Sequence, residues 1–203
     1  MKSSRALKGL LLFPGAGSDS THASLLQIEQ AVAPLAVRRA DFAYRKAGRR
    51  PPDRAPILLD TVRTEAVAFA AQQRTTSVRL VLGGRSMGGR MCSMAVAGGD
   101  DIGPALPAAA LVLIAYPLHP PGRPDKLRVE HLARLPVPCL FVHGTRDAFG
   151  TPDELQHWTA SIPAPVTHVW LPGKTHDLKG ADADIAAAVS AWLQDLRVTL
   201  AQG

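Results

Sequence analysis

Ser86 stands at the centre of Gly84-Arg85-Ser86-Met87-Gly88, between the apolar run Val78-Arg79-Leu80-Val81-Leu82-Gly83 and the helix-forming stretch 89–97. A serine on a sharp strand-to-helix turn presents its hydroxyl for nucleophilic attack, provided that the residues two places to either side are small. Gly84 and Gly88 meet that need, and glycine takes backbone angles that other residues resist. The turn also sets Ser86 at a helix N-terminus, where unpaired N–H groups face a developing anion.

A serine nucleophile needs a base to take its proton and an acid to orient that base. The chain order expected after such a turn is serine, acid, histidine. Asp147 follows the apolar run 139–143 and the Gly144 turn, so it is the expected acid, with Asp125 in reserve. Asp153 reads as a first-turn acid of the next helix, favoured by the helix dipole. His176 follows the run 166–171 in a loop ahead of the last helix and is the expected base. His168 lies inside its strand, and His143 precedes the glycine turn, where packing or hydrogen bonding suits it. His22, His119, His131 and His157 lack the context of a base, although His119 lies in a loop that can rim a pocket. Two N–H donors must hold the oxyanion, each worth ~3 kcal/mol in acyl transfer. Met87 supplies one. The loop 14–18 supplies the other, and since Pro14 has no N–H, Ala16 is expected, with Gly15 second. Ser18, Asp19 or Ser20 in the same loop would cap the helix that starts near His22.

These residues require elements to hold them. Apolar runs predict strands at 7–13, 35–42, 78–82, 110–116, 139–143 and 166–171. Helical patterns fall at 22–32, 56–73, 87–97, 151–160 and 182–200. This alternation predicts a single α/β domain over 1–203, with a mostly parallel sheet of about six strands and helices on both faces. The loops 43–55 and 117–128 should leave the carboxyl edge of the sheet, where open α/β sheets bind ligands. The first carries Arg45, Lys46, Arg49, Arg50 and Arg54 against only Asp53. Arg45, Arg49, Arg85 and His119 are candidates for a substrate rim of a sign that concentrates anions; the other reading is a solvated basic loop, with Arg85 turned away onto a carboxylate.

Composition narrows the classes. The chain has 203 residues, 46% hydrophobic and 20% charged, as in an ordinary globular protein. No apolar run approaches the ~20 residues of a membrane span. Residues 1–13 imitate a secretory signal, but their uninterrupted apolar core is too short. Two cysteines, Cys92 and Cys139, both in apolar surroundings, point to buried thiols in a reducing cytoplasm. A formal net charge of +6 is compatible with nucleic acid, yet the arginines are dispersed and only 5% of residues are aromatic. A stacking surface for bases is therefore not expected.

The segments Leu11-Leu12-Phe13-Pro14-Gly15-Ala16-Gly17, Gly83 to Arg90, Tyr116 to Gly122, Val142-His143-Gly144-Thr145-Arg146-Asp147 and His176-Asp177 carry a resemblance. Together they are similar to the small α/β-hydrolase-like proteins of the testis-expressed protein and NSL-complex subunit 3 branch, near dienelactone-hydrolase-like enzymes. The resemblance implies the α/β-hydrolase fold without a separate lid domain, with Ser86, Asp147 and His176 at the triad positions. Dienelactone hydrolases proper use a cysteine nucleophile, so their substrate is not carried over to a chain with Ser86. Many relatives of the wider fold have His-Gly where this chain has Pro14-Gly15. The expectation is a serine hydrolase of a small soluble ester or thioester, working through an acyl-enzyme, with no metal or organic cofactor. The alternative is a non-catalytic interaction module that keeps the fold. The sequence assigns no oligomeric state.

Overall fold

Strand side chains alternate between the two faces of a sheet, so a continuously apolar strand serves two cores at once. Four strands of this chain do so: β1 (Gly9–Phe13), β3 (Leu80–Arg85), β4 (Ala110–Ile114) and β5 (Cys139–Gly144), each buried along its whole length. Leu11, Phe13, Leu82, Leu113 and Phe141 face one core, and Leu10, Leu12, Val81, Val112 and Val142 the other. Burying each of these large side chains contributes about 1.5–3 kcal/mol. The computed structural model of the chain describes residues 6–202, so the first five residues of the signal-like stretch 1–13 lie outside the described residues.

With β2 (Val37–Arg39) and β6 (Val166–Leu171) the strands form one sheet in the order β2-β1-β3-β4-β5-β6, every neighbouring pair parallel. The helices are α1 (Ala23–Ala31), α2 (Ala43–Lys46), α3 (Ala55–Gln72), α4 (Met87–Ala97), α5 (Pro152–Thr159) and α6 (Asp182–Gln202). Residues of α1 and α6 fill one core, and residues of α2 to α5 the other. This is the expected six-stranded parallel sheet with helices on both faces. The strand order reverses between β1 and β3, and the crevice at such a point is the natural ligand site of an open α/β sheet. Among the described residues no helix is long and apolar enough to cross a membrane.

β1 starts two residues later than the sequence reading and β4 ends two residues earlier, and three further elements differ from it. The ladder of β2 keeps only three residues of 35–42, because the chain leaves this edge at Ala40 toward the buried Phe42. Arg38 and Arg39 there pair with Glu65 of α3 and Glu29 of α1. The basic segment 43–55 is not all loop: it opens with α2, whose Tyr44 is fully buried. Finally, β3 starts two residues late, after a short 3₁₀ turn at Ser77–Arg79, and runs on through Gly83 and Gly84 to Arg85.

A buried polar cluster joins α4 to the excursion between β4 and β5. Ser93 Oγ donates to the Arg90 carbonyl and lies 2.8 Å from His131 Nε2. Tyr116 donates its hydroxyl to the Arg128 carbonyl and lies 3.3 Å from the same nitrogen. Both hydroxyl protons are committed to carbonyls, so Nε2 of His131 carries the ring proton and donates. Burial, with Arg90 and Arg134 adding to it, lowers the His131 pKa to about 3. The unfolded ring titrates near ~6.5. The folded value lies below the unfolded one, so the unfolded chain binds the extra proton between them. The stabilisation is complete above ~6.5 and is lost as pH falls toward 3, at up to ~1.4 kcal/mol per pH unit. His131→Gln is expected to flatten this acid limb in urea titrations between pH 7 and 4.5. An acid limb as steep as the parent's in that variant contradicts the assignment.

Candidate active site

The turn after β3 puts Ser86 at φ 48°, ψ −115°, a left-handed conformation that non-glycine residues seldom adopt. Its N–H donates to the Ile114 carbonyl at 2.8 Å, which anchors the turn to β4. Strain of this kind costs of order 1–3 kcal/mol and persists where surrounding structure fixes it. The flanking glycines show what does the fixing. A Cβ on Gly84 would lie 2.1 Å from the Phe13 carbonyl oxygen, and one on Gly88 would lie 2.4 Å from the same atom. The elbow is thus wedged against the end of β1, and side chains at 84 and 88 have no room.

Three distant side chains meet at this turn. Ser86 Oγ lies 2.8 Å from His176 Nε2, and His176 Nδ1 lies 2.8 Å from Asp147 Oδ2. A carboxylate only accepts, so Nδ1 carries the ring proton. Nε2 then offers its lone pair to the Ser86 hydroxyl. Asp147 is fully buried, while the His176 side chain keeps 22% of its surface exposed. The second Asp147 oxygen accepts from the Phe149 N–H at 2.8 Å. The Phe149 ring stacks on His176 with centroids 3.8 Å apart and covers one face of the imidazole. His143 Nε2 donates to the Gly150 carbonyl at 2.8 Å and stands 3.4 Å from Asp147 Oδ2, so it braces the turn that carries Asp147. Burial lowers the His143 pKa and keeps this ring neutral.

Ala16 and Met87 border the same cleft as Ser86. Met87 is the first residue of α4, and amides in a first helical turn have no intrahelical acceptor. The loop after β1 runs alongside, since a Cβ on Gly15 would stand 3.6 Å from Ser86 Cβ. Tyr44, from α2, donates its hydroxyl to the Ala16 carbonyl at 2.9 Å and pins that loop. The helix that follows is capped by His22, whose Nδ1 accepts from the Ser24 N–H. This corrects the expectation of Ser18, Asp19 or Ser20 as cap. Ser20 instead donates to Asp41, and Asp19 accepts from Thr21.

The expected rim is arranged differently. Arg85 is buried, and its Nη2 donates to the carbonyls of His176 and Asp177, so it tethers the histidine loop from within the cleft. Arg45 pairs with Asp19, Lys46 with Glu65 and Arg49 with Asp53, and neither Arg45 nor Arg49 lines the cleft. Local acids neutralise most of the basic segment. His119 does not line the cleft either: Nδ1 is 2.8 Å from the Pro120 carbonyl and Nε2 is 3.5 Å from Glu154. The reserve acid Asp125 is exposed beside Arg123. Asp153 lies in the first turn of α5, where Thr151 and Glu154 form a capping box. The cleft itself has a volume of about 670 Å³, with Leu58, Met87, Met91 and Phe149 as apolar walls. Arg90 and Arg128 also line it, and the sequence reading passed over both. The signal for Arg90 was its place four residues after Ser86, on the same helical face.

A parallel sheet with a serine on a glycine-flanked turn, at the point where strand order reverses, defines the α/β-hydrolase architecture. The family model described as alpha/beta hydrolase domain matches residues 7–196, and the chain belongs to that family. Its fold is similar to Est1E from Butyrivibrio proteoclasticus, with 15% identity over 96% of this chain and 90% of that one and a TM-score of 0.71. An alpha-beta serine hydrolase homologue from Coxiella burnetii is similar at 16% identity, covering 93% of this chain and 86% of that one, with a TM-score of 0.69. Dienelactone hydrolase from Anabaena variabilis is similar at 17% identity, covering 93% and 87%, with a TM-score of 0.64.

Proposed function

We propose that this chain is a single-domain serine hydrolase that cleaves an ester or thioester of a small soluble substrate through an acyl-enzyme. The hydrogen-bonded line Ser86–His176–Asp147, with both contacts at 2.8 Å, carries the reading. Ser86 Oγ attacks the carbonyl carbon while His176 Nε2 takes the hydroxyl proton. Asp147 holds the tautomer and stabilises the imidazolium that forms. The N–H groups of Ala16 and Met87 donate hydrogen bonds to the carbonyl oxygen as negative charge develops on it. The imidazolium returns its proton to the leaving alcohol or thiol as the tetrahedral intermediate collapses. Water, deprotonated by the same nitrogen, then releases the acid and restores Ser86. Nucleophilic and acid–base steps complete this cycle with no other group.

The free, buried thiols of Cys92 and Cys139 support a cytoplasmic setting. The segments 83–90 and 116–122 support a place near the testis-expressed protein branch. A fluorophosphonate probe tests the reading directly. The parent protein is expected to label once, on the peptide that contains Ser86, and the Ser86→Ala variant not at all. Absence of labelling in the folded parent would favour the non-catalytic interaction module.

A further inference from the structure

Two of the guanidinium groups that line the cleft have no protein partner. Arg90 and Arg128 make no side-chain hydrogen bond and no ion pair with any described residue, and the Nε of Arg90 is buried. Burial lowers the Arg90 pKa and the charge of Arg128 lowers it further, against Tyr116 and Glu130, which raise it. Asp53, the lining acid near α3, is committed to Arg49 at 2.7 Å, and Glu130 forms no ion pair with either arginine. Arg45, Lys46 and Arg49 each have an acid, while Arg85 donates its Nη2 to two carbonyls and keeps a buried Nη1 without a partner. Both arginines are half-buried, and a partly desolvated cation without an ion-pair partner gains from an anion that reaches it. The fold holds both arginines in place. The Ser93–His131–Tyr116 cluster binds the backbone carbonyl of Arg90 through one hydroxyl and that of Arg128 through the other.

We propose that Arg90 and Arg128 form a subsite for a carboxylate at the far end of the substrate's acyl chain. This rests on Ser86 as the nucleophile. Arg90 follows Ser86 by four residues, about one helical turn or ~5.4 Å along α4. The carboxylate therefore sits several bonds from the scissile carbonyl, with the apolar side chains of Leu58 and Met91 in the same wall for the methylenes between. A planar guanidinium takes a carboxylate through two parallel hydrogen bonds, which fixes orientation as well as charge. The subsite replaces the basic segment 43–55 as the source of selectivity for anions.

The test compares mono-4-nitrophenyl adipate with its neutral isostere, 4-nitrophenyl 6-methylheptanoate, at low salt and with spontaneous hydrolysis subtracted. The parent is expected to favour the adipate ester in kcat/KM by roughly tenfold to a hundredfold, the range of a hydrogen bond to a charged group. Arg90→Gln and Arg128→Gln should each bring that ratio toward one. Arg90→Lys should leave it between the parent and Arg90→Gln, since it keeps the charge and loses the fork. A ratio near one in the parent, or a parental ratio in both glutamine variants, overturns the subsite while the hydrolase stands. A second arm titrates adipate into Ser86→Ala by calorimetry, where no turnover is needed. Saturable binding that weakens at least tenfold on adding Arg90→Gln upholds the subsite even if neither ester is hydrolysed, in which case the hydrolase reading fails alone. No saturable binding in this arm overturns the subsite whether or not either ester is hydrolysed.

Discussion

Ser86→Ala is expected to lower kcat toward 4-nitrophenyl acetate by at least ~10⁴-fold while leaving the melting temperature nearly unchanged. The size of the loss follows from the proposed mechanism, in which the three side chains work as a unit. Without the Oγ there is no acyl-enzyme, and the orientation of His176 by Asp147 serves nothing. Serine hydrolases that lose a member of such a unit keep only the residual rate supplied by binding and the oxyanion donors. Stability is a separate matter. The hydroxyl bonds only to His176, which keeps part of its surface in water, and alanine meets the same left-handed backbone that serine does. Steady-state kinetics beside a thermal melt separate the two. Parental turnover in the variant would mean that another group is the nucleophile.

Gly84→Ala is expected to act the other way, through the fold. Its Cβ would enter a space 2.1 Å from the Phe13 carbonyl oxygen and 2.9 Å from the Phe13 nitrogen, both backbone atoms of the adjoining central strand. The residue also has φ 154°, which an L side chain resists. Neither β1 nor β3 can move aside, because each is paired on both edges. Overpacking joined to backbone strain belongs with the rare substitutions that cost more than ~4 kcal/mol. Against a total stability of about 5–15 kcal/mol this removes from about a quarter to most of the margin, and the unfolding midpoint in denaturant should fall accordingly. Gly17→Ala is the control, since a Cβ there meets nothing within 4 Å. Chemical denaturation should find the control within ~0.5 kcal/mol of the parent. If Gly84→Ala is equally stable, the close approach of β1 to the elbow has been misread.

The four central strands were legible because burial on both faces leaves almost only apolar residues in them. The run 166–171 and the helix 87–97 keep the predicted boundaries. The ends of β2 and β3 were not legible, because strand length is set by neighbours. Gly83 and Gly84 look like a strand terminus, yet they pair with Leu12, Phe13, Val112 and Leu113 because only bare backbone fits between those strands. The positions of Ser86, Asp147 and His176 could be read from chain order alone, since each lies just past a recognisable strand. Pairing of the basic segment could not, except for Arg49 with Asp53 at i,i+4. The acids that neutralise Arg45 and Lys46 come from residues 19 and 65, on other elements. The side walls of the cleft, Leu58 and Arg128, were hidden for the same reason: the sequence does not say how close they come to Ser86.

The strand order also divides the site by time. Ser86, Met87 and the loop 14–18 belong to strands made first, whereas Asp147 and His176 follow β5 and β6 at the far side of the sheet. On the proposed mechanism, a chain emerging from the ribosome carries its serine for about ninety residues before the histidine that would activate it. Until then β4 has one unpaired edge, with Leu111, Val112 and Leu113 available to any passing strand. A fragment cut between β4 and β5 would therefore be chemically silent and prone to aggregate, and reactivity arrives only with the strands that close that edge.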